Sequence, residues 1–216
     1  MRSQALFFLS ALMVVGLMTW GLSIVASVIQ KSRRVSAKQK HATVPAPKCG
    51  LLTLCTADQF PVHVSSGAAD IVGPKICFNG KIIMSHVLNN VGLGLNIVVV
   101  NISSGSVESS TVLNMKNGAE KDILQRLNSI KPGMMVLVAS FGDVTLKMSD
   151  EIRDVFVGMG SSLVSSLKYR DNWVFVGRGG TGDKSLFEKR SVNDAKTNVY
   201  ETYPAVVEVA GCFPKD

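Results

Sequence analysis

Short apolar runs closed by turn residues set the pattern of this chain from residue 49 onward. Phe60-Pro-Val-His-Val contains a proline, which cannot donate to a central ladder, so it predicts a short edge strand. Lys75-Ile-Cys-Phe and Lys81-Ile-Ile-Met flank Asn79-Gly80, the pair that supplies the two positive-φ positions of a type I′ turn, and they predict a hairpin. Gly94–Val100 is almost continuously apolar and predicts a central strand. The polar turn Ser103–Ser106 leads into Val107–Met115, whose alternation predicts a more exposed strand. Met134–Ala139 and Trp173-Val-Phe-Val read as buried strands, and Ala205–Val209 as the last one.

Two stretches change to helical spacing. Asn117 followed by Glu120 predicts a capped start, with Ile123, Leu124, Leu127 and Ile130 on one face and Pro132-Gly133 as the stop. Ser149, Asp150 and Glu151 predict a second helix start, with Ile152, Val155, Phe156 and Met159 as its core stripe. Residues 160–167 read as a linker or short irregular element. Strands outnumber helices, hairpins dominate and no regular βαβ repeat occurs. The expected fold class is α+β: a mainly antiparallel, β-sandwich-like domain over 49–216 with flanking helices.

The first segment departs from this pattern. Residues 3–30 carry no charge, and the apolar part, Ala5–Val28, is long enough to span a bilayer. It reads either as a cleaved signal peptide, with Val25-Ala26-Ser27 as the small-residue site, or as an uncleaved anchor. More Lys and Arg follow the segment than precede it, which for an anchor would leave the domain in the cytosol. Cleavage removes the conflict with the export signals below and is the preferred reading. Residues 31–48 then form a basic, flexible leader.

Charge is informative once located. The net charge is +7, yet residues 1–48 hold seven basic residues and no acid. The remaining sixteen Lys and Arg face sixteen Asp and Glu, so the domain is formally neutral. A nucleic-acid binder needs its positive charge on the folded face, so that partner class is set aside.

Cys49, Cys55, Cys77 and Cys212 make an even count, which in an exported chain reads as two disulfides with three connectivities open. Whichever holds, Cys212 must clasp the end of the domain to its beginning. No Cys-x-x-Cys or Cys/His spacing indicates zinc, and the three histidines are scattered. Asn101-Ile102-Ser103 is an N-glycosylation sequon in a polar turn.

Catalytic signatures are lacking. Gly177–Ser185 resembles a phosphate loop, but Asp183 separates Gly182 from Lys184, which breaks the register and places a carboxylate where an anion would sit. Asp143, Asp150, Glu151 and Asp154 could furnish a glycosidase pair, yet the last three suit helix-start and surface positions. No nucleophile is matched to a base, so neither an enzyme nor a cofactor is expected. The polar triplet Arg170-Asp171-Asn172 stands at the mouth of the Trp173 strand, where it could meet a ligand or simply pair to fix a loop.

Several strings occur together in one order: Ser66–Cys77, Met84-Ser, Asn89–Ile97, Tyr169–Phe175, Lys184–Glu188, Thr197–Glu201 and Val209–Cys212. Through them the chain resembles the secreted "family with sequence similarity three" group of cytokine- and hormone-like proteins, from Cys49 to Cys212. The resemblance implies a GG-type lectin fold, secretion through the endoplasmic reticulum and Golgi, and a cell-surface receptor or glycan as partner. It implies disulfides Cys49–Cys77 and Cys55–Cys212. The same domain type binds sugar in the stem of a Golgi glycosyltransferase. By that likeness Arg170 and Asp143 are candidate carbohydrate contacts, with Trp173 close by. An alternative in the same terms is a membrane-anchored Golgi carbohydrate-binding module. Two departures are visible. Gly92-Leu93-Gly94 stands where the family usually has Gly-Arg-Gly, and Phe141-Gly-Asp-Val144 where it has Tyr-Asp-Asp-Gly. Val176 replaces the cysteine that links chains in some relatives, which leaves a monomer or non-covalent oligomer.

Overall fold

The computed structural model describes residues 18, 20–27, 29–31 and 46–215. The chain divides into two units, Met1–Pro45 and Ala46–Asp216. In the first, residues 20–27 and 29–31 are helical and exposed. Among the described residues no helix is long and apolar enough to cross a membrane. Most of the expected signal segment and leader lies outside the described residues.

The second unit contains nine strands: β1 (Gln59–Ser65), β2 (Lys75–Phe78), β3 (Lys81–Ser85), β4 (Gly94–Asn101), β5 (Ser106–Leu113), β6 (Met134–Phe141), β7 (Asn172–Arg178), β8 (Phe187–Ser191) and β9 (Glu208–Pro214). Helices α1 (Glu120–Asn128) and α2 (Asp150–Val157) interrupt them. The strands form a four-stranded sheet, β3-β2-β1-β9, and a five-stranded sheet, β5-β4-β6-β7-β8. Every pairing is antiparallel.

Side chains alternate across a strand, so the larger sheet serves two cores. Val98, Val100, Met135, Leu137, Ala139, Val174 and Val176 meet Val62, Val64, Ile76 and Met84 of the smaller sheet. Leu95, Ile97, Val136, Val138, Trp173 and Phe175 face the other way, onto Ile123, Leu127, Ile152 and Phe156 of the helices. The result is sheet, sheet and helices in three layers. Their central strands are covered on both sides, which is why β4, β6 and β7 read as unbroken apolar runs. Asn79 and Gly80 have φ of 48° and 86° and close the β2–β3 hairpin as their sequence requires.

Disulfides Cys49–Cys77 and Cys55–Cys212 close separations of 28 and 157 residues. The first ties the entering chain to β2, the second to β9. His63 reinforces the same corner: Nδ1 is 3.1 Å from the Cys49 carbonyl and Nε2 is 2.9 Å from Glu208 Oε2. That hydrogen bond lowers the Glu208 pKa, against the opposing effect of partial burial.

Four local expectations need correction. β1 is internal, between β2 and β9, despite Pro61. Pro61 pairs with Cys212 on β9, while pairing with β2 begins only at Val62, so no ladder bond from β2 needs its missing N–H. Helix α1 starts at Glu120 with Ala119 at the cap position, because Asn114 has already drawn the main-chain N–H groups of Lys116 and Asn117 into its own turn. Ser149 does precede α2, but its hydroxyl makes no cap bond and is buried without a partner among the described residues. The last strand runs Glu208–Pro214 rather than Ala205–Val209, and a further strand, β8, forms where the sequence predicts none.

Candidate functional site

The triplet before β7 divides its labour. Asp171 is 1% exposed; its carboxylate accepts from the main-chain N–H groups of Lys168 (3.0 Å) and Asn193 (2.8 Å) and lies 3.9 Å from Arg190 Nη1. It closes its own turn and holds the exit of β8. Asn172 is fully buried, and its amide donates to the carbonyls of Pro204 (3.3 Å) and Ala205 (2.9 Å). It fixes the loop that carries Tyr203. These two residues fill the loop-fixing role that spacing alone allowed.

Arg170 differs from both. Its φ is 63°, in the left-handed region that most residues avoid, and its main-chain N–H donates to Asp143 Oδ1 at 3.2 Å. The guanidinium lies 4.7 Å from the ring centroid of Tyr169 and 4.8 Å from that of Tyr203, within cation–π range of both. Among the described residues it has no ion pair and no side-chain hydrogen bond. Its fork of donors is therefore held by two aromatic rings and left available.

Asp143 joins the strand mouth from β6. Oδ1 also accepts from Thr145, through N–H at 3.0 Å and Oγ1 at 2.8 Å. Oδ2 is buried and has no donor among the described residues. Asp143 thus positions Arg170 through one oxygen and keeps a second acceptor unused.

Trp173 is corrected out of this site. It is fully buried, stacked on Phe175 at 5.7 Å and edge-on to Phe156 at 5.3 Å. Its indole N–H donates to Glu188 Oε1 at 2.9 Å. Strand alternation turns it onto the helix core, so it has no face to offer a ligand.

Sequence reasoning missed two neighbours. Tyr203 covers Arg170, and its phenol pKa is raised above 10.0, chiefly by burial and then by the Asp70 charge, with Arg170 opposing. Gly142, at φ 66°, has Asp70 and Leu93 on its open side: a Cβ built there would lie 3.6 Å from Asp70 Cβ and 3.0 Å from Leu93 Cδ2. Asp70 and Leu93 thus both stand beside the Asp143 turn. Asp70 lies within Ser66–Cys77, but no local pattern could bring it to β6.

Asn101 ends β4 in a polar turn, away from this constellation. Its Oδ1 accepts from the N–H groups of Ser103 (3.1 Å) and Ser104 (3.2 Å), so the sequon is a formed turn. Among the described residues no group of His, Cys, Asp and Glu could hold a metal ion.

Comparison with known proteins agrees with this frame. Residues 93–181, which include β4, β6, both helices and the Asp143–Arg170 contact, match the family model "Interleukin-like EMT inducer". Protein FAM3C of Danio rerio is 44% identical over 167 residues, 77% of this chain and 74% of its own. Protein FAM3A of Pongo abelii is 42% identical over 168 residues, 78% of this chain and 73% of its own. Protein FAM3D of Homo sapiens is 39% identical over 220 residues, covering 99% of this chain and 98% of its own. Likeness of this extent shows that the chain belongs to the FAM3 family of cytokine-like proteins.

Proposed function

We propose that this protein is a secreted, non-enzymatic signalling protein that engages a cell-surface partner, with carbohydrate contact at the Asp143–Arg170 turn. The observation that carries the reading is the Arg170 guanidinium, held between Tyr169 and Tyr203 with no acceptor of its own among the described residues. A pyranose presents adjacent hydroxyls that both accept and donate. A planar guanidinium can donate to two of them in charge-assisted bonds. The aromatic rings fix the guanidinium before a ligand arrives, which reduces the ordering cost of binding. Two disulfides suit an oxidising compartment, and the Asn101 sequon, formed as a turn, suits passage through the secretory route with a glycan added there.

A glycan array tests the site. Arg170→Ala should abolish measurable glycan binding, at a cost of about 1.5–3 kcal/mol for the lost charged hydrogen bonds, while leaving the melting transition in place. Retained binding would remove Arg170 from the contact. Mass spectrometry of the mature N-terminus in culture medium tests secretion. An intact Met1–Val28 segment found only in membranes would instead favour the anchored Golgi module.

A further inference from the structure

The larger sheet ends at β5, and this edge has little to protect it. β5 forms its ladder with β4 alone, and among the described residues no other main-chain hydrogen bond reaches it. Such a strand presents alternate N–H and C=O groups to whatever lies beside it. The other edges carry the residues that usually discourage pairing: Lys81 on β3, Lys189 and Arg190 on β8, and Pro214 on β9. β5, with the sequence Ser-Val-Glu-Ser-Ser-Thr-Val-Leu, has no lysine, arginine or proline.

Beside this edge runs a groove of about 480 Å³ between β5 and α1. Ser109 and Thr111 form one wall, and Arg126 and Lys131 line it from the helix and the loop beyond. Val99, Ile130 and Met134 contribute apolar surface. Arg126 Nη1 is 3.5 Å from Thr111 Oγ1, so one cation leans on the strand itself. Two cations thus line the groove against one acid, Glu108, and among the described residues neither cation is in an ion pair.

The occupant follows from shape and charge. The register shift opposite Val99 and Val100 leaves a bulge around Glu108, so the regular edge is Ser109–Leu113. A second copy would bring its own bulge and its own helix against that short edge, whereas a short peptide brings only a strand. We propose that the β5–α1 groove binds an extended, carboxylate-bearing peptide segment as an added outer strand along Ser109–Leu113. In this mode main-chain hydrogen bonds hold the segment, and alternate side chains select it. Apolar side chains turn onto Val99, Ile130 and Met134, and carboxylates meet Arg126 and Lys131.

The test uses the full chain and acetylated, amidated hexapeptides that alternate valine, leucine or phenylalanine with glutamate, or with lysine in a second set. Binding is read by fluorescence anisotropy, and the site by hydrogen–deuterium exchange. The glutamate set should bind at least about tenfold tighter than the lysine set, the margin of one charged hydrogen bond, and slow exchange across 109–113. N-methylation of one alternate set of peptide amides should abolish binding, and of the other should not. Arg126→Glu and Lys131→Glu, each checked for an unchanged melting transition, should each weaken the glutamate peptides. Equal affinity of the two sets, protection confined to other strands, or indifference to both N-methylation patterns would overturn the proposal. So would protection of 109–113 that rises with protein concentration in the absence of peptide, since a second copy would then hold the edge.

Discussion

The indole N–H of Trp173 donates to Glu188 Oε1 at 2.9 Å, from the middle of the helix core to a half-buried carboxylate on β8. Glu188 Oε1 also accepts from the Ser161 hydroxyl. Oε2 accepts from the N–H groups of Ser162 (2.7 Å) and Leu163 (3.1 Å) and from the Ser162 hydroxyl (3.1 Å). One side chain therefore satisfies five donors and fastens the loop after α2 to the far edge of the sheet. Glu188→Ala strands those donors and should cost about 2–3 kcal/mol, the scale of a lost charged hydrogen-bond set. Urea unfolding followed by tryptophan fluorescence reads both the loss and the changed surroundings of Trp173, Trp20 being the only other tryptophan. A variant within about 0.5 kcal/mol of the parent protein would show that the loop does not depend on this carboxylate.

The two disulfides should differ in their contribution. In the chain-entropy account, closing 157 residues restrains the unfolded chain by about 5 kcal/mol, and closing 28 residues by roughly 3.5 kcal/mol. Paired replacement of Cys55 and Cys212 by alanine should lower the melting temperature by about 10–20 °C, more than replacement of Cys49 and Cys77. Calorimetry of both double variants decides the order. The reverse order would mean that the corner built on Cys49, His63 and Glu208 holds the fold more firmly than the clasp to β9.

Stability should decline at acid pH partly through Glu208. The hydrogen bond from His63 lowers its pKa in the folded state below the ordinary 4.5. The unfolded chain therefore takes up the proton more readily. The stabilisation is complete above 4.5 and is lost as pH falls through the lowered folded value. Glu208 is exposed, so screening by water limits the effect to about 0.2–1 kcal/mol. His63→Ala should remove this component from the acid limb of a stability–pH curve measured by urea unfolding. An unchanged acid limb would exclude the pair as its source.

Much of the fold was legible because burial acts locally on β4, β6 and β7: each has apolar residues on both faces, and no helix spacing competes. The Asn79-Gly80 hairpin was legible from turn chemistry alone. β8 was not, because Phe187-Glu-Lys-Arg-Ser has one apolar residue and draws its strand character from pairing with β7 and from the duties of Glu188. β9 runs past the apolar stretch Ala205–Val209 because its pairing with β1 and the Cys55 bond hold Glu208–Pro214 extended, and neither is encoded in local spacing. Arg170 and Asp143 both stood out in the sequence, and a main-chain contact brings them together. Trp173 was misjudged for lack of a facing direction. Tyr203 and Asp70 depend on chain returns that no local spacing encodes.

The doubly covered sheet has a consequence for how its strands find their alignment. In most sheets a slip by one residue throws apolar side chains into water, and that penalty enforces the match. Here a slipped β4 or β6 would trade one oily layer for the other. Alignment must then be written in the few polar atoms kept inside. Asn96 clips the Gly92 main chain through bonds of 3.0 and 2.9 Å, and the Ser140 hydroxyl accepts from the main-chain N–H of Trp173 at 2.8 Å. These fully buried residues act as the notches of a key, and an apolar isostere at either place would leave a well-filled interior with an ambiguous address.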